Sequence, residues 1–96
     1  MIGIVVHLEI QDGKQADFEA AAKDLMAQVK ANEPGCLIYQ LYKKKGSGTD
    51  YYFMEQYTDQ AALDAHGKTE YFLAAQPKLG ACLAGAPTLT MMDSVE

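Results

Sequence analysis

The sequence predicts one α+β domain, in which an antiparallel sheet carries helices on one of its faces. Runs rich in β-branched and aromatic residues alternate with amphipathic segments of helical period, in the order β-α-β-β-α-β. The chain has 96 residues, the length of one ordinary domain. Apolar residues make up 49% and charged residues 22%, as in globular proteins. Residues 1–96 are therefore predicted to form a single domain.

The first part of the chain predicts a strand, a helix and a second strand. Residues 2–10 are rich in β-branched side chains and end at the turn residues Gln11-Asp12-Gly13, which is typical of a strand. Residues 14–32 place apolar side chains at helical spacing, and the following Pro34 disfavours continuation of this helix. Residues 36–43 have the composition of a second strand.

A hairpin and a short helix follow. The glycine-rich turn Gly46-Ser47-Gly48 is short, so residues 51–57 are predicted to pair antiparallel with the second strand. Thr58 or Asp59 can cap a helix over residues 60–66.

The last part of the chain predicts a further helix and a final strand. Helix restarts after Thr69 and covers residues 71–75, with a kink or a new start near Pro77 and a continuation over residues 79–83. Residues 88–94 form the last strand. This order of elements is the ferredoxin-like, split-βαβ arrangement of a four-stranded antiparallel sheet.

The second and third strands carry apolar residues on both faces. One face would present Leu37, Tyr39, Leu41, Tyr51, Phe53 and Tyr57, and the other Cys36, Ile38, Tyr42, Tyr52 and Met54. Helices can cover only one face, and an exposed apolar patch usually marks an interface. The pattern therefore predicts a C2 homodimer with its sheets packed face to face. The alternative is a partly solvated face of amphipathic tyrosines.

Charge and hydropathy exclude several classes of protein. The net charge of −5 argues against nucleic-acid binding, which needs clustered cations. The one basic cluster, Lys43-Lys44-Lys45, is interpreted as a solvated hairpin tip, with an anion site as the alternative. No apolar run approaches the roughly 18–20 residues of a membrane span. The start of the chain has no secretion signal, so no membrane contact and a cytoplasmic location are expected.

Three polar residues stand out within apolar elements. His66 follows Leu63 and Ala62 by three and four positions, so it lies on the apolar face of its helix and is expected to face the sheet. Glu55 lies on the preceding strand, and contact with His66 would make a proton-transfer pair. His7 lies on the first strand. The alternatives are a satisfied core histidine or a surface residue for His66, a structural hydrogen-bond acceptor for Glu55, and a plain sheet-surface or interface residue for His7.

The motifs of common cofactor sites are absent. The sequence contains no GxGxxG, P-loop, GxSxG or HExxH motif. Its two histidines and scattered acids make no convincing metal site. An enzyme with this sequence is therefore expected to work without a nucleotide cofactor, flavin or metal.

Four segments in order resemble the antibiotic biosynthesis monooxygenase family. They are Glu33-Pro34-Gly35-Cys36-Leu37-Ile38-Tyr39, Met54-Glu55-Gln56-Tyr57, Ala62-Leu63-Asp64-Ala65-His66 and Thr69-Glu70-Tyr71-Phe72. The resemblance implies a dimeric α+β barrel with a pocket between sheet and helices. It places Glu55 and His66 on the family's recurrent acidic and histidine positions. Residues 74–77 lack the histidine of haem-degrading relatives, and the chain lacks the tryptophan that some polyketide-oxidising members use.

The resemblance and the residues together predict a cofactor-independent monooxygenase. A small phenolic or quinol-type substrate would give its proton to His66, oriented by Glu55, and its anion would reduce O2. Tyr39, Tyr57 and Phe72 would line an apolar slot, and Tyr51 and His7 are further candidates for substrate binding. The alternatives are an isomerase or tautomerase of a small metabolite, phosphorylated or not, and a binding module without chemistry.

Overall fold

The computed structural model describes residues 1–96 and places four strands in one antiparallel sheet. The strands are β1 (Ile2–Glu9), β2 (Cys36–Lys43), β3 (Asp50–Tyr57) and β4 (Thr88–Asp93). Their order across the sheet is β2-β3-β1-β4, with every neighbouring pair antiparallel. The helices are α1 (Gln15–Asn32), α2 (Gln60–Gly67) and α3 (Glu70–Gly80). The predicted α+β, ferredoxin-like fold is confirmed.

The core lies between one face of the sheet and the helices. Alternation along β1 and β3 and helical spacing along α1 and α3 bring together the buried apolar side chains, as the periods of strand and helix require. They are Ile4, Val6, Leu8, Ile10, Phe18, Ala22, Leu25, Val29, Tyr39, Tyr51, Phe53, Tyr57, Ala75, Leu79 and Cys82. None of the three helices has the length and apolar character needed to cross a membrane.

The helices of the chain leave the opposite face of the sheet uncovered. Ile38, Tyr42, Met54 and Met92 lie on it and are each 43–51% exposed. The second apolar face predicted from the sequence is therefore present. The second copy expected to cover it stays a prediction.

Two local predictions are wrong. Leu37 does not share the core face with Tyr39 and is exposed, because the β2–β3 register shifts between Cys36 and Ile38. Pro77 does not interrupt α3, which ends at Gly80 rather than Leu83. Proline has no backbone N–H, so α3 lacks the hydrogen bond from residue 77 to the Leu73 carbonyl. The Leu73 side chain is exposed, which places this part of the helix on the solvent side.

Candidate functional site

A cavity of about 310 Å³ lies between the sheet and the two short helices α2 and α3. Most of its wall is apolar, formed by Ile4, Val6, Leu8, Tyr39, Phe53, Leu63, Phe72, Leu79, Leu83 and Leu89. Glu55, His66 and Gln76 contribute the long polar side chains. An apolar cavity with a few polar groups is typical of a site for a small organic molecule.

His66 lies at the end of α2 and points into the core. The carboxylate of Asp59 caps this helix by accepting a hydrogen bond from the Ala62 backbone N–H at 2.8 Å. The His66 side chain is only 4% exposed, which confirms that it faces the sheet. Three aromatic rings surround the imidazole, with centroid distances of 5.2 Å to Tyr39, 5.5 Å to Tyr57 and 4.5 Å to Phe72.

The hydrogen bonds of His66 distinguish its two ring nitrogens. Nδ1 lies 3.0 and 3.1 Å from the two carboxylate oxygens of Glu33, and it is the donor because an ionised carboxylate only accepts. The Tyr71 hydroxyl donates to the same carboxylate. Nε2 has no hydrogen-bond partner in the chain. Every fully buried side-chain nitrogen and oxygen atom does have one, so Nε2 is not fully buried and is accessible from the cavity that His66 lines. The imidazole therefore presents one free nitrogen to a bound molecule.

A threonine joins the two helices around this imidazole. The Thr69 hydroxyl donates to the His66 carbonyl at 2.9 Å and accepts from the Phe72 backbone N–H at 3.3 Å. It thereby caps α3 and ties the first turn of that helix to the last turn of α2. This connection fixes Phe72 beside His66.

Glu55 lines the same cavity but does not bond to His66. Its Oε1 accepts a hydrogen bond of 2.7 Å from the Tyr57 hydroxyl. Burial raises the pKa of Glu55, and the neighbouring Glu33 adds to the rise, whereas this hydrogen bond and the nearby imidazole of His66 act in the opposite direction. Burial and the neighbouring Glu55 also raise the pKa of Tyr57 far above its ordinary value, which keeps its hydroxyl a donor.

The structure brings together most, but not all, of the predicted site residues. Glu55, His66, Tyr39 and Phe72 line the cavity. Tyr57 is fully buried behind it, contacts His66 with its ring and does not itself line the wall. The sequence predicted Glu55 as the group that orients His66, whereas the structure gives that hydrogen bond to Glu33.

Two predicted substrate-binding residues lie elsewhere. Alternation along β1 places His7 on the open face of the sheet, where Nε2 contacts Asp50 Oδ1 at 2.8 Å and the ring packs on Tyr52. Tyr51 faces α1, packs on Phe18 and donates its hydroxyl to the Glu19 carboxylate. Neither lines the cavity.

Glu33 and Tyr71 are site residues to which the sequence analysis assigned no role, although both lie in the segments that resemble the family. Glu33 caps the C-terminus of α1 just before Pro34-Gly35, a position where a carboxylate is ordinarily interpreted as a solvated helix end. Its side chain is nevertheless only 10% exposed. No local pattern signals that the end of α1 meets the end of α2.

Other candidate sites are weaker. A more open groove of about 610 Å³ lies on the outer side of the Glu33–His66 pair and is lined by fewer apolar residues. The basic residues 43–45 do not line the aromatic cavity. No group of three or more His, Cys, Asp and Glu side chains lies close enough together to hold a metal ion.

By its fold and its cavity, the chain is a small α+β domain that holds an imidazole and a carboxyl group in an aromatic-lined cavity under the helices. The model of the antibiotic biosynthesis monooxygenase family matches residues 1–78, and the chain belongs to this family. Family membership supports, in general terms, a monooxygenase-like function and the binding of a small molecule.

Individual relatives agree with this assignment. A "putative antibiotic biosynthesis monooxygenase" of Caulobacter crescentus is 47% identical, with a TM-score of 0.95 over 99% of this chain and 90% of that chain. A crystal structure of an antibiotic biosynthesis monooxygenase is 27% identical, with a TM-score of 0.91 over the whole of both chains. The "putative monooxygenase YcnE" of Bacillus subtilis is 29% identical over 72 residues, 75% of each chain.

A relative from Synechocystis is longer. It is 28% identical over 71 residues, which are 74% of this chain and 48% of that protein. The match thus spans about half the length of that relative.

Proposed function

We propose that this protein is a monooxygenase that oxidises a small phenolic or quinol-type substrate with O2, the substrate itself supplying the electrons. The observation that carries the proposal is the free Nε2 of His66 inside an aromatic-lined cavity. A general base must reach the proton that it removes, and this nitrogen has no competing partner in the chain.

The cavity suits an aromatic substrate in size and lining. Its volume of about 310 Å³ lies at the lower end of small-molecule sites. The rings of Tyr39 and Phe72 can pack against a flat aromatic body. Glu55 and His66 supply two polar groups, which matches a substrate with two oxygen substituents.

The reaction begins with removal of a proton. His66 Nε2 takes the phenolic proton, and the electron-rich phenolate reduces O2. One oxygen atom bonds to the ring carbon that loses its hydrogen and becomes the quinone carbonyl. The other oxygen leaves as water with the two hydrogens lost from the substrate, one of which returns from His66. Phenol plus O2 thus gives quinone plus water.

Oxygen uptake tests this function directly. Wild-type protein is given hydroquinones and polyhydroxylated aromatics, without added metal or flavin, beside His66→Ala and the matched variant His7→Ala. We expect uptake with wild type and His7→Ala, and a loss of about 10²–10⁴-fold in His66→Ala, the usual contribution of a general base. Retained uptake in His66→Ala would remove this residue from the mechanism.

Two further measurements separate the alternative functions. Turnover that is equal in air and under argon would replace the oxygenase with an isomerase or tautomerase that uses the same cavity. A ligand that raises the free energy of unfolding by about 2.7 kcal/mol at a concentration of 100 times its Kd, and is not converted to product, would indicate a binding module.

We also propose that the protein is a homodimer whose sheets pack through their open faces. The support is the set of half-exposed apolar side chains on that face, among them Ile38, Tyr42 and Met54. In light scattering, we expect twice the chain mass of 10.5 kDa for wild type and the single mass for Met54→Glu. Leu73→Glu, at a residue that is also exposed (56%, against 44% for Met54) but lies on α3, should remain dimeric. A monomeric wild type at micromolar concentration would refute the dimer.

A further inference from the structure

We propose that Glu33, held in place by Tyr71, is the positioning residue of His66. It fixes the imidazole proton on Nδ1, directs the lone pair of Nε2 into the cavity, and stabilises the imidazolium that forms when Nε2 takes a proton. The inference rests on the proposed role of His66 as the base.

The contacts of Glu33 leave one arrangement of the imidazole. Both carboxylate oxygens lie within 3.1 Å of Nδ1, so the ring nitrogen on this side must donate. Neutral imidazole has one donor and one acceptor nitrogen, and a donor at Nδ1 makes Nε2 the acceptor. The nitrogen that faces the cavity is thereby the one able to accept a proton.

Glu33 is itself anchored from a third element. Tyr71, in the first turn of α3, donates its hydroxyl to the carboxylate. Burial and the hydrogen bond to Glu33 raise the pKa of Tyr71 to about 12, so it stays a donor at neutral pH. The C-cap of α1 supplies the carboxylate, α2 the imidazole and α3 the anchoring hydroxyl. The orientation of His66 is therefore determined by three elements.

The carboxylate acts from behind the base. Glu33 and Tyr71 line the outer groove and not the cavity, whereas His66 lines the cavity and not the groove. Glu33 therefore does not touch a molecule in the cavity and acts only through the imidazole. When Nε2 takes the substrate proton, the positive charge forms beside this carboxylate, and it disappears when His66 returns the proton to the departing water. A carboxylate placed behind a catalytic imidazole has this effect in hydrolases.

The tautomer of His66 gives a test that needs no turnover. Long-range ¹H–¹⁵N NMR spectra report which ring nitrogen carries the proton, and His7→Ala assigns the signals because the chain has two histidines. We expect neutral His66 to carry its proton on Nδ1 in wild type, in Glu33→Gln, whose amide oxygen still accepts, and in the cavity control Glu55→Gln. In Glu33→Ala the proton should move to Nε2. A proton on Nε2 in wild type, or one that stays on Nδ1 in Glu33→Ala, would overturn the inference.

Kinetics of Glu33→Gln then test the effect on the base. This variant keeps a hydrogen-bond acceptor and loses the charge, so kcat for oxygen uptake should fall about 10–100-fold, with KM within about twofold of wild type. An unchanged kcat would overturn the stabilisation of the imidazolium. If wild type consumes no oxygen with any substrate, the oxygenase proposal fails, and the NMR spectra alone decide the role of Glu33. If Glu33→Ala does not fold, the wild-type tautomer and the Glu33→Gln kinetics decide it.

Discussion

Gly35 approaches α2 more closely than an alanine would allow. A Cβ atom at this position would lie 2.7 Å from the Ala62 Cβ and 3.3 Å from the Thr58 Oγ1. The Gly35 carbonyl also accepts a hydrogen bond of 2.9 Å from the Thr58 backbone N–H. Gly35→Ala must therefore push the start of β2 away from the start of α2, the helix that carries His66.

The cost of Gly35→Ala follows from two opposing effects. Overpacking of a well-packed region costs about 1–3 kcal/mol, and here the obstacle is another Cβ rather than the end of a flexible side chain. Alanine recovers about 0.4–1 kcal/mol by restricting the unfolded chain. We expect a net loss of about 1–2 kcal/mol in the free energy of unfolding, with Tm falling roughly 4–8 °C for each kcal/mol.

Urea unfolding measures this loss, and two variants control it. Gly48→Ala lies where an added Cβ meets no atom within 4 Å, so its stability should not fall. Ala62→Gly alone should lose about 1 kcal/mol of helix propensity. Combined with Gly35→Ala, it removes the obstructing Cβ. The double variant should therefore lose about 0.5–3 kcal/mol less free energy of unfolding than the two single variants lose in sum. Additive losses, or a Gly35→Ala protein as stable as Gly48→Ala, would refute the reasoning.

Three further predictions concern the core, the cap of α3 and the cavity carboxyl. Leu25→Ala, at a residue 2% exposed, should cost about 2–5 kcal/mol in urea unfolding, whereas Leu73→Ala, at one 56% exposed, should stay within about 0.5 kcal/mol; similar losses would refute the assignment of the core. Thr69→Ala should cost about 1 kcal/mol because α3 loses its cap, and Thr69→Ser should retain that stability; equal losses in the two variants would contradict the capping role. Because burial raises the pKa of Glu55, the folded protein favours its protonated form, and stability is lost as pH rises through that raised pKa. Glu55→Gln should therefore be the more stable protein at neutral pH, with the gain vanishing below the ordinary pKa of glutamate; a gain that does not depend on pH would refute the electrostatic cause.

Local sequence patterns were sufficient for the fold. The strands and helices are encoded by periods of two and 3.6 residues, which act within each segment, so their positions could be predicted to within a few residues. The burial of His66 was predictable for the same reason, since Leu63 and Ala62 lie on the same face of α2.

Contacts between distant segments were not predictable in this way. The carboxylate partner of His66 comes from Glu33, 33 residues earlier, whereas sequence proximity favoured Glu55. The β-bulge that exposes Leu37 depends on pairing with β3 and leaves no mark in β2 itself. The dimer and the cytoplasmic location stay predictions. His7 is a different case, because alternation along β1 places it on the open face and could have excluded it from the substrate-binding candidates.

Substitutions on the two sides of the cavity differ in their cost to stability. On the sheet side, Ile4, Tyr39 and Phe53 also belong to the buried core, so a change of cavity shape there carries a cost in stability. Leu63 and Phe72, on the helix side, are only partly buried and can be exchanged at lower cost. New substrate preferences are therefore expected to arise by substitution in α2 and α3, while the sheet beneath stays nearly constant.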